Sequence, residues 1–279
     1  MFPRTLIGAV FLAVVSANAS YAIRPEKAYP LTPASAQLNY DSLNIPTRDH
    51  SRLTAWYCKA PVDTSQFVIV MAGGDAGNMG YDVPLAQFIV ANFRVPVLLF
   101  DYRGFGSSQD FKYDPDAIGH PEYLTDLDAA VTFTKKTYPD KKIILYGRSL
   151  GGALAIVEAC RTTGLAGVIA ESPYTTQRLL KARYEDTTLT SRKITIRPIA
   201  SNDLEPFAEI KNFHAKNVLI LHGKSERFIL SSELESRMSS IPADNKKFID
   251  FDNCDHLELP MKDPQHFGNA MAEFLSNCR

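Results

Sequence analysis

The chain has little that would let it act as a nucleic-acid binder, a metal carrier or a redox protein. Its 279 residues carry a formal net charge of −1, so there is no electrostatic footprint for phosphate backbones. Its four cysteines, Cys58, Cys160, Cys254 and Cys278, form no C-x-x-C pair, which removes the zinc-ribbon and thioredoxin-type patterns. Cys254 and Cys278 fall at opposite ends of the last helical segment, too far apart to bond, so free, half-buried thiols are expected. No internal repeat or low-complexity tract is present, and 10% aromatic content argues against disorder. A complete G-x-x-x-x-G-K-S/T phosphate loop is missing. "DYRGFGSS" (101–108) gives only part of a G-x-G-x-x-G, so it reads as a turn bordering a site rather than a dinucleotide fingerprint. No metal or organic cofactor is implied.

Long apolar runs are also scarce. The one near a terminus runs from Leu6 to Val15, behind Arg4 and ahead of Ala17-Asn18-Ala19. It falls short of the ~20 residues that span a bilayer. Basic residue, apolar stretch and small-x-small site together predict a cleaved export signal over residues 1–22, with Ser20-Tyr21-Ala22 as a second cleavage option. A secreted or periplasmic location is the expectation. Residues 23–39 read as a proline-bearing extension without periodicity.

From Tyr40 the pattern becomes regular. "LNIPT" and "RLTAWYC" read as strands joined by a turn at Asp49-His50. Six further strand-length runs follow, at 66–72, 95–101, 142–146, 167–172, 217–222 and 247–252. Several are apolar throughout, as a strand covered on both faces should be. Segments with a helical apolar stripe lie between them, at 84–93, 121–138, 150–163, 231–240 and 264–278. This alternation predicts an α/β fold with a mostly parallel central sheet and helices on both faces. Ligands in such sheets bind at the carboxyl ends of the strands, so the chemistry should lie just after each strand.

Four loops carry it. Gly147-Arg148-Ser149-Leu150-Gly151 follows the strand "KIILY" and leads directly into a helix. G-x-S-x-G in that setting is a nucleophile elbow, where neighbours without side chains allow a sharp turn that lifts the serine hydroxyl. A hydroxyl needs a base. His256, in the loop after the last strand, is the candidate, whereas His222 directly precedes Gly223 and reads as structural; the remaining histidines read as turn or helix-surface residues. The base needs a carboxylate to fix its tautomer. Glu226, just past "NVLILH", is favoured, Glu171 is the rival, and Asp252 and Asp255 lie too near His256 in the chain. The loop "MAGGDAGNMG" follows the first buried strand. Its Asp75 amide, with that of Leu150, is expected to supply oxyanion donors.

Taken together, "GGDAGNMG", "DYRGFGSS", "GRSLGG", "SPYTT", "HGKSE" and "CDH" occur in order and resemble the α/β-hydrolase superfamily, in particular small serine hydrolases related to serine aminopeptidases. The resemblance runs from about Tyr40 to the C-terminus. It implies one domain over 40–279, with a short cap inserted at about 175–216. It also implies a serine hydrolase of carboxylic esters, with a peptidase or amidase, or a non-catalytic binding module, as alternatives. The substrate class would be a small acyl ester or short peptide. Three positions depart from the pattern: Gly73 stands for histidine, Asp75 for asparagine and Glu226 for aspartate. The start of the cap segment is basic (Arg178, Lys181, Arg183, Arg192, Lys193, Arg197). A solvated helix face is the plain expectation there, and attraction of an anionic substrate or membrane surface the sharper one.

Overall fold

The computed structural model describes residues 22–189 and 196–279. The proposed export signal, apart from Ala22, and Arg192 and Lys193 of the cap lie outside the described residues. The strands are β1 (Arg24–Pro25), β2 (Tyr40–Pro46), β3 (Arg52–Cys58), β4 (Phe67–Ala72), β5 (Ala76–Gly77), β6 (Val97–Phe100), β7 (Lys142–Arg148), β8 (Leu165–Glu171), β9 (Asn217–Gly223) and β10 (Asn245–Phe251). The helices are α1 (Val83–Phe93), α2 (Pro121–Thr137), α3 (Leu150–Ala159), α4 (Gln177–Tyr184), α5 (Ser231–Met238), α6 (Leu259–Lys262) and α7 (Pro264–Asn277).

Among the described residues the main sheet has the order β10-β9-β8-β7-β4-β6-β3-β2. The β10-to-β6 run is parallel, while β3 pairs antiparallel with β6 and with β2. Every residue of β4, β6 and β9 is buried, which is why these runs lack polar alternation. Alternate side chains still go to opposite faces. Val68, Val70 and Ala72 join one core with Leu127 and Leu154 of α2 and α3. Phe67, Ile69 and Met71 join the other with Leu85, Phe267 and Met271 of α1 and α7. Truncating a fully buried member such as Leu145 or Ile220 to alanine should cost about 2–5 kcal/mol.

The N-terminal extension is part of the fold rather than a loose lead-in. β1 pairs in parallel with β5, through Arg24 N–H to the Asp75 carbonyl (2.9 Å) and Glu26 N–H to the Gly77 carbonyl (2.8 Å). The Asn78 amide donates to the carbonyls of Glu26 and Ala28, and Ile23 is buried. Residues of this strap satisfy backbone groups that the loop after β4 would otherwise leave open, a demand that hydrophobic periodicity does not reveal. All four cysteines are free and buried, a deeper placement than expected; burial alone pushes the Cys58 thiol up to about 12.

Candidate active site

Ser149 sits between β7 and α3 with φ 53° and ψ −116°, a strained conformation for a residue with a side chain. The flanking glycines make it attainable. A Cβ on Gly147 would lie 2.1 Å from the Gly151 carbonyl oxygen, and one on Gly151 would lie 2.1 Å from that of Ala72. The turn is pinned by Ser149 N–H donating to the Glu171 carbonyl at 2.8 Å. Leu150 is the first residue of α3, so its amide has no intrahelical acceptor, and among the described residues no hydrogen bond is recorded for it.

His256 lies in the loop between β10 and α6. Its Nδ1 is 2.8 Å from Oε1 of Glu226. A carboxylate on that side selects the Nδ1–H tautomer and leaves the Nε2 lone pair facing away from it. Glu226 is reached by a turn in which its N–H donates to the Gly223 carbonyl at 3.0 Å. Gly223 itself allows close contact, since a Cβ there would meet the Cys254 and Asp255 carbonyls at 2.6 Å. The end of β9 and the histidine loop are thereby held together. The Glu226 carboxylate is fully buried, and its second oxygen lies 3.4 Å from Nε2 of His222. His222 is buried too, with Nδ1 2.9 Å from Asp250 and Nε2 3.0 Å from the Ile229 carbonyl. It braces the acid loop from below, in keeping with a structural reading.

Glu171 does not contact the His256 ring. Its Oε2 accepts from Tyr146 (2.9 Å) and from Arg148 Nε (3.2 Å). Asp252 pairs with Lys224 in solvent. Asp255 accepts from the His256 backbone amide, not from its ring. The structure thus brings Glu226, and none of its rivals, to Nδ1.

Burial disfavours the imidazolium of His256, but Glu226 first, then Asp75 and Glu171, outweigh it and raise its pKa above the ordinary histidine value. Asp75 is half-buried in the loop after β4. Its carboxyl is raised by burial, against the opposing pull of His256, Arg24 and its own backbone amide. Gly74, just before it, packs against the nucleophile, with a Cβ there 3.7 Å from that of Ser149.

Two features were not anticipated from sequence. One is the strap, described above. The other is the buried partner set of Arg148, whose only signal in the sequence is a cation at the end of an apolar strand. The "DYRGFGSS" turn is structural: Asp101 accepts the Met79 amide (2.7 Å) and the Tyr29 hydroxyl (2.6 Å), fastening the β4 loop and the strap. Arg103 grips Asp126 and Asp49. Among the described residues no cluster of histidine, cysteine or carboxylate side chains could hold a metal ion.

Comparison with known proteins agrees with this architecture. The serine aminopeptidase family model matches residues 66–192. A Saccharomyces cerevisiae chain described as an uncharacterized membrane protein is 27% identical, over 92% of this chain and 90% of its own length. A Pyrococcus furiosus esterase superposes with a TM-score of 0.77 at 21% identity, covering 91% of this chain and 97% of the esterase. A Pyrococcus horikoshii acylaminoacyl peptidase superposes at 0.64 and 17% identity, covering 86% of this chain but 41% of the peptidase. The chain has the α/β-hydrolase fold, and its segment 66–192 is similar to the serine aminopeptidases of that superfamily.

Proposed function

We propose that the chain is a serine hydrolase of carboxylic esters in which Ser149 attacks the acyl carbonyl. His256 accepts the hydroxyl proton on Nε2 and passes it to the leaving group. Glu226 holds the imidazole and offsets its charge. The Leu150 amide, with that of Asp75, steadies the oxyanion, and water then frees the acyl-enzyme. The observation that carries this reading is the 2.8 Å contact between a buried glutamate and His256, over the same sheet edge as a serine held at φ 53°.

The test is hydrolysis of p-nitrophenyl acyl esters, from acetate to palmitate, by the protein and Ser149→Ala. Loss of the serine should cost on the order of 10⁶ in turnover. Equal rates in both proteins would sink the assignment.

A peptidase or amidase with the same residues is the second reading. The matching family model and the peptidase neighbour favour it, and aminoacyl p-nitroanilides discriminate. We also propose export through the N-terminal segment. Among the described residues no helix is long and apolar enough to cross a membrane. Intact-mass analysis of the protein recovered from its producing cells would give a mass lacking the first 19 or 22 residues; a full-length mass would overturn the proposal and favour an uncleaved anchor.

A further inference from the structure

Arg148 stands between Gly147 and Ser149, yet its side chain is only 5% exposed. Its guanidinium spreads across three elements. Nη1 donates to Oδ1 of Asp82 at 2.6 Å, at the start of α1. Nε donates to Oε2 of Glu171 at 3.2 Å, at the end of β8. Nη2 donates to the carbonyl of Leu257 at 3.2 Å. The Glu171 side chain is fully buried and that of Asp82 is 8% exposed.

Stability alone does not account for this arrangement. A buried ion cluster is often no more stabilising than apolar side chains of the same volume, because desolvation offsets the attraction. What the cluster provides is geometry. Leu257 adjoins His256 and has φ 59°, so the histidine loop takes a left-handed turn at the residue whose carbonyl Arg148 holds. Arg148 is covalently next to the nucleophile. One rigid, planar group therefore ties the serine turn to the histidine loop.

We infer that Arg148 is a positioning residue: it sets His256 against Ser149 through the Leu257 carbonyl, and it neutralises the buried carboxylates of Glu171 and Asp82. This rests on the serine-hydrolase reading of the site. A lysine keeps the charge but lacks the fork that reaches three acceptors at once. The carboxylates acting on the His256 ring come from three elements: Glu226 after β9, Asp75 after β4 and Glu171 at the end of β8. Of these, Glu171 is the one Arg148 compensates directly.

The experiment compares wild type, Arg148→Lys and the charge-neutral triple variant Asp82→Asn/Arg148→Met/Glu171→Gln. The triple variant removes every charge of the cluster and so avoids leaving a buried carboxylate alone. Circular dichroism and thermal melts establish that each folds. Readouts are kcat and KM on p-nitrophenyl acetate, the rate of Ser149 labelling by a fluorophosphonate, and the NMR titration of the His256 ring. The expected result is a kcat lower by about 10²-fold with KM nearly unchanged in both variants, the loss typical of a misplaced catalytic group. Labelling should slow in step, and the His256 titration should be displaced. Folded variants with kcat within about threefold of wild type and an unmoved His256 titration would overturn the inference. The two readings fail separately. If wild type neither hydrolyses esters or anilides nor labels at Ser149, the hydrolase reading falls, and the His256 titration, which needs no turnover, still decides whether Arg148 holds the loop.

Discussion

The nucleophile turn and the segment between β8 and β9 border the same edge of the sheet, but they are held in opposite ways. All ten residues of α3 are buried, and its entry is made of backbone against backbone at Gly147, Gly151 and Ala72. In α4 of the proposed cap only Gln177 is buried. The cap is held at points: Tyr174 to the Leu204 carbonyl, Gln177 to both the amide and carbonyl of Ile199, and Arg183 to Glu233 and the Phe228 carbonyl. The first arrangement tolerates no displacement, as bond-making chemistry requires. The second is polar contacts with scattered buried apolar anchors, among them Ile196, Leu204 and Phe213, which suits the proposed role of a substrate-selecting surface. The contrast predicts that substitutions at the turn act on folding and kcat, and that cap substitutions act weakly, on KM.

The largest effect should come from Gly151→Ala. Its new methyl would meet the Ala72 and Gly73 carbonyl oxygens at 2.1 and 2.4 Å, and backbone cannot step aside. A loss above ~4 kcal/mol is expected, a fall in Tm of roughly 10 °C or more. Gly164→Ala is the control. There φ is +79° but nothing lies within 4 Å, so only the strain of a positive φ remains, about 1 kcal/mol. Equal melting temperatures for the two variants would show that the turn is not the rigid element described.

Next comes the acid. Glu226→Gln should lower kcat by about 10⁴-fold, because an amide at that position allows the wrong imidazole tautomer. Glu171→Gln, which leaves the His256–Glu226 contact in place, should cost far less. A reversed order, measured as kcat/KM on the preferred ester, would transfer the role to Glu171.

These expectations show what kind of information the sequence carries. The strands over 66–72, 142–146 and 217–222 were legible because burial on both faces leaves a continuous apolar signal. The sharp turn at Ser149 was legible because steric need forces glycine at fixed spacing, and the contact of Glu226 with His256 because chain order restricts where an acid can fall. Arg148, Asp82 and Leu257 meet through contacts 66 and 109 residues apart, and no local pattern reports such a meeting. The strap lies in the segment 23–39, read as an extension without periodicity; Ile23, Tyr29 and Leu31 do pack on the cores, but at no regular spacing, and backbone hydrogen bonds hold the rest. His120, read as a turn or helix-surface residue, is buried with its Nε2 accepting from the Asp114 amide. A lone polar residue gives no sign of a buried partner.

A smaller effect is expected at Asp75. Its carboxylate helps raise the His256 pKa. In the proposed mechanism His256 works unprotonated, so a raised pKa means activity is lost at higher pH as the solution is acidified. Asp75→Asn removes that contribution, and the acid limb of kcat/KM should move to lower pH. The alkaline plateau should change little, since the Asp75 backbone amide remains. An acid limb that stays in place or moves upward would show that Asp75 does not act on the histidine.

The cap should give the smallest response, and the comparison between the two regions is most exposed there. Arg183 pairs with Glu233 with both side chains about four-fifths buried, and it also donates to the Phe228 carbonyl on the chain that follows Glu226. Lys181 pairs with Glu185 one turn along the same helix. An i,i+4 helix pair such as Lys181–Glu185 is worth about 0.3–0.5 kcal/mol, so Lys181→Ala should leave Tm and kcat within error. Arg183→Ala should cost somewhat more, because it frees a carbonyl as well as a carboxylate. Its effect should appear as a higher KM for long acyl chains with kcat on acetate preserved. If Arg183→Ala instead lowered kcat on every ester alike, the cap would have to be counted with the turn as part of the rigid frame that places Glu226, through Phe228, against His256.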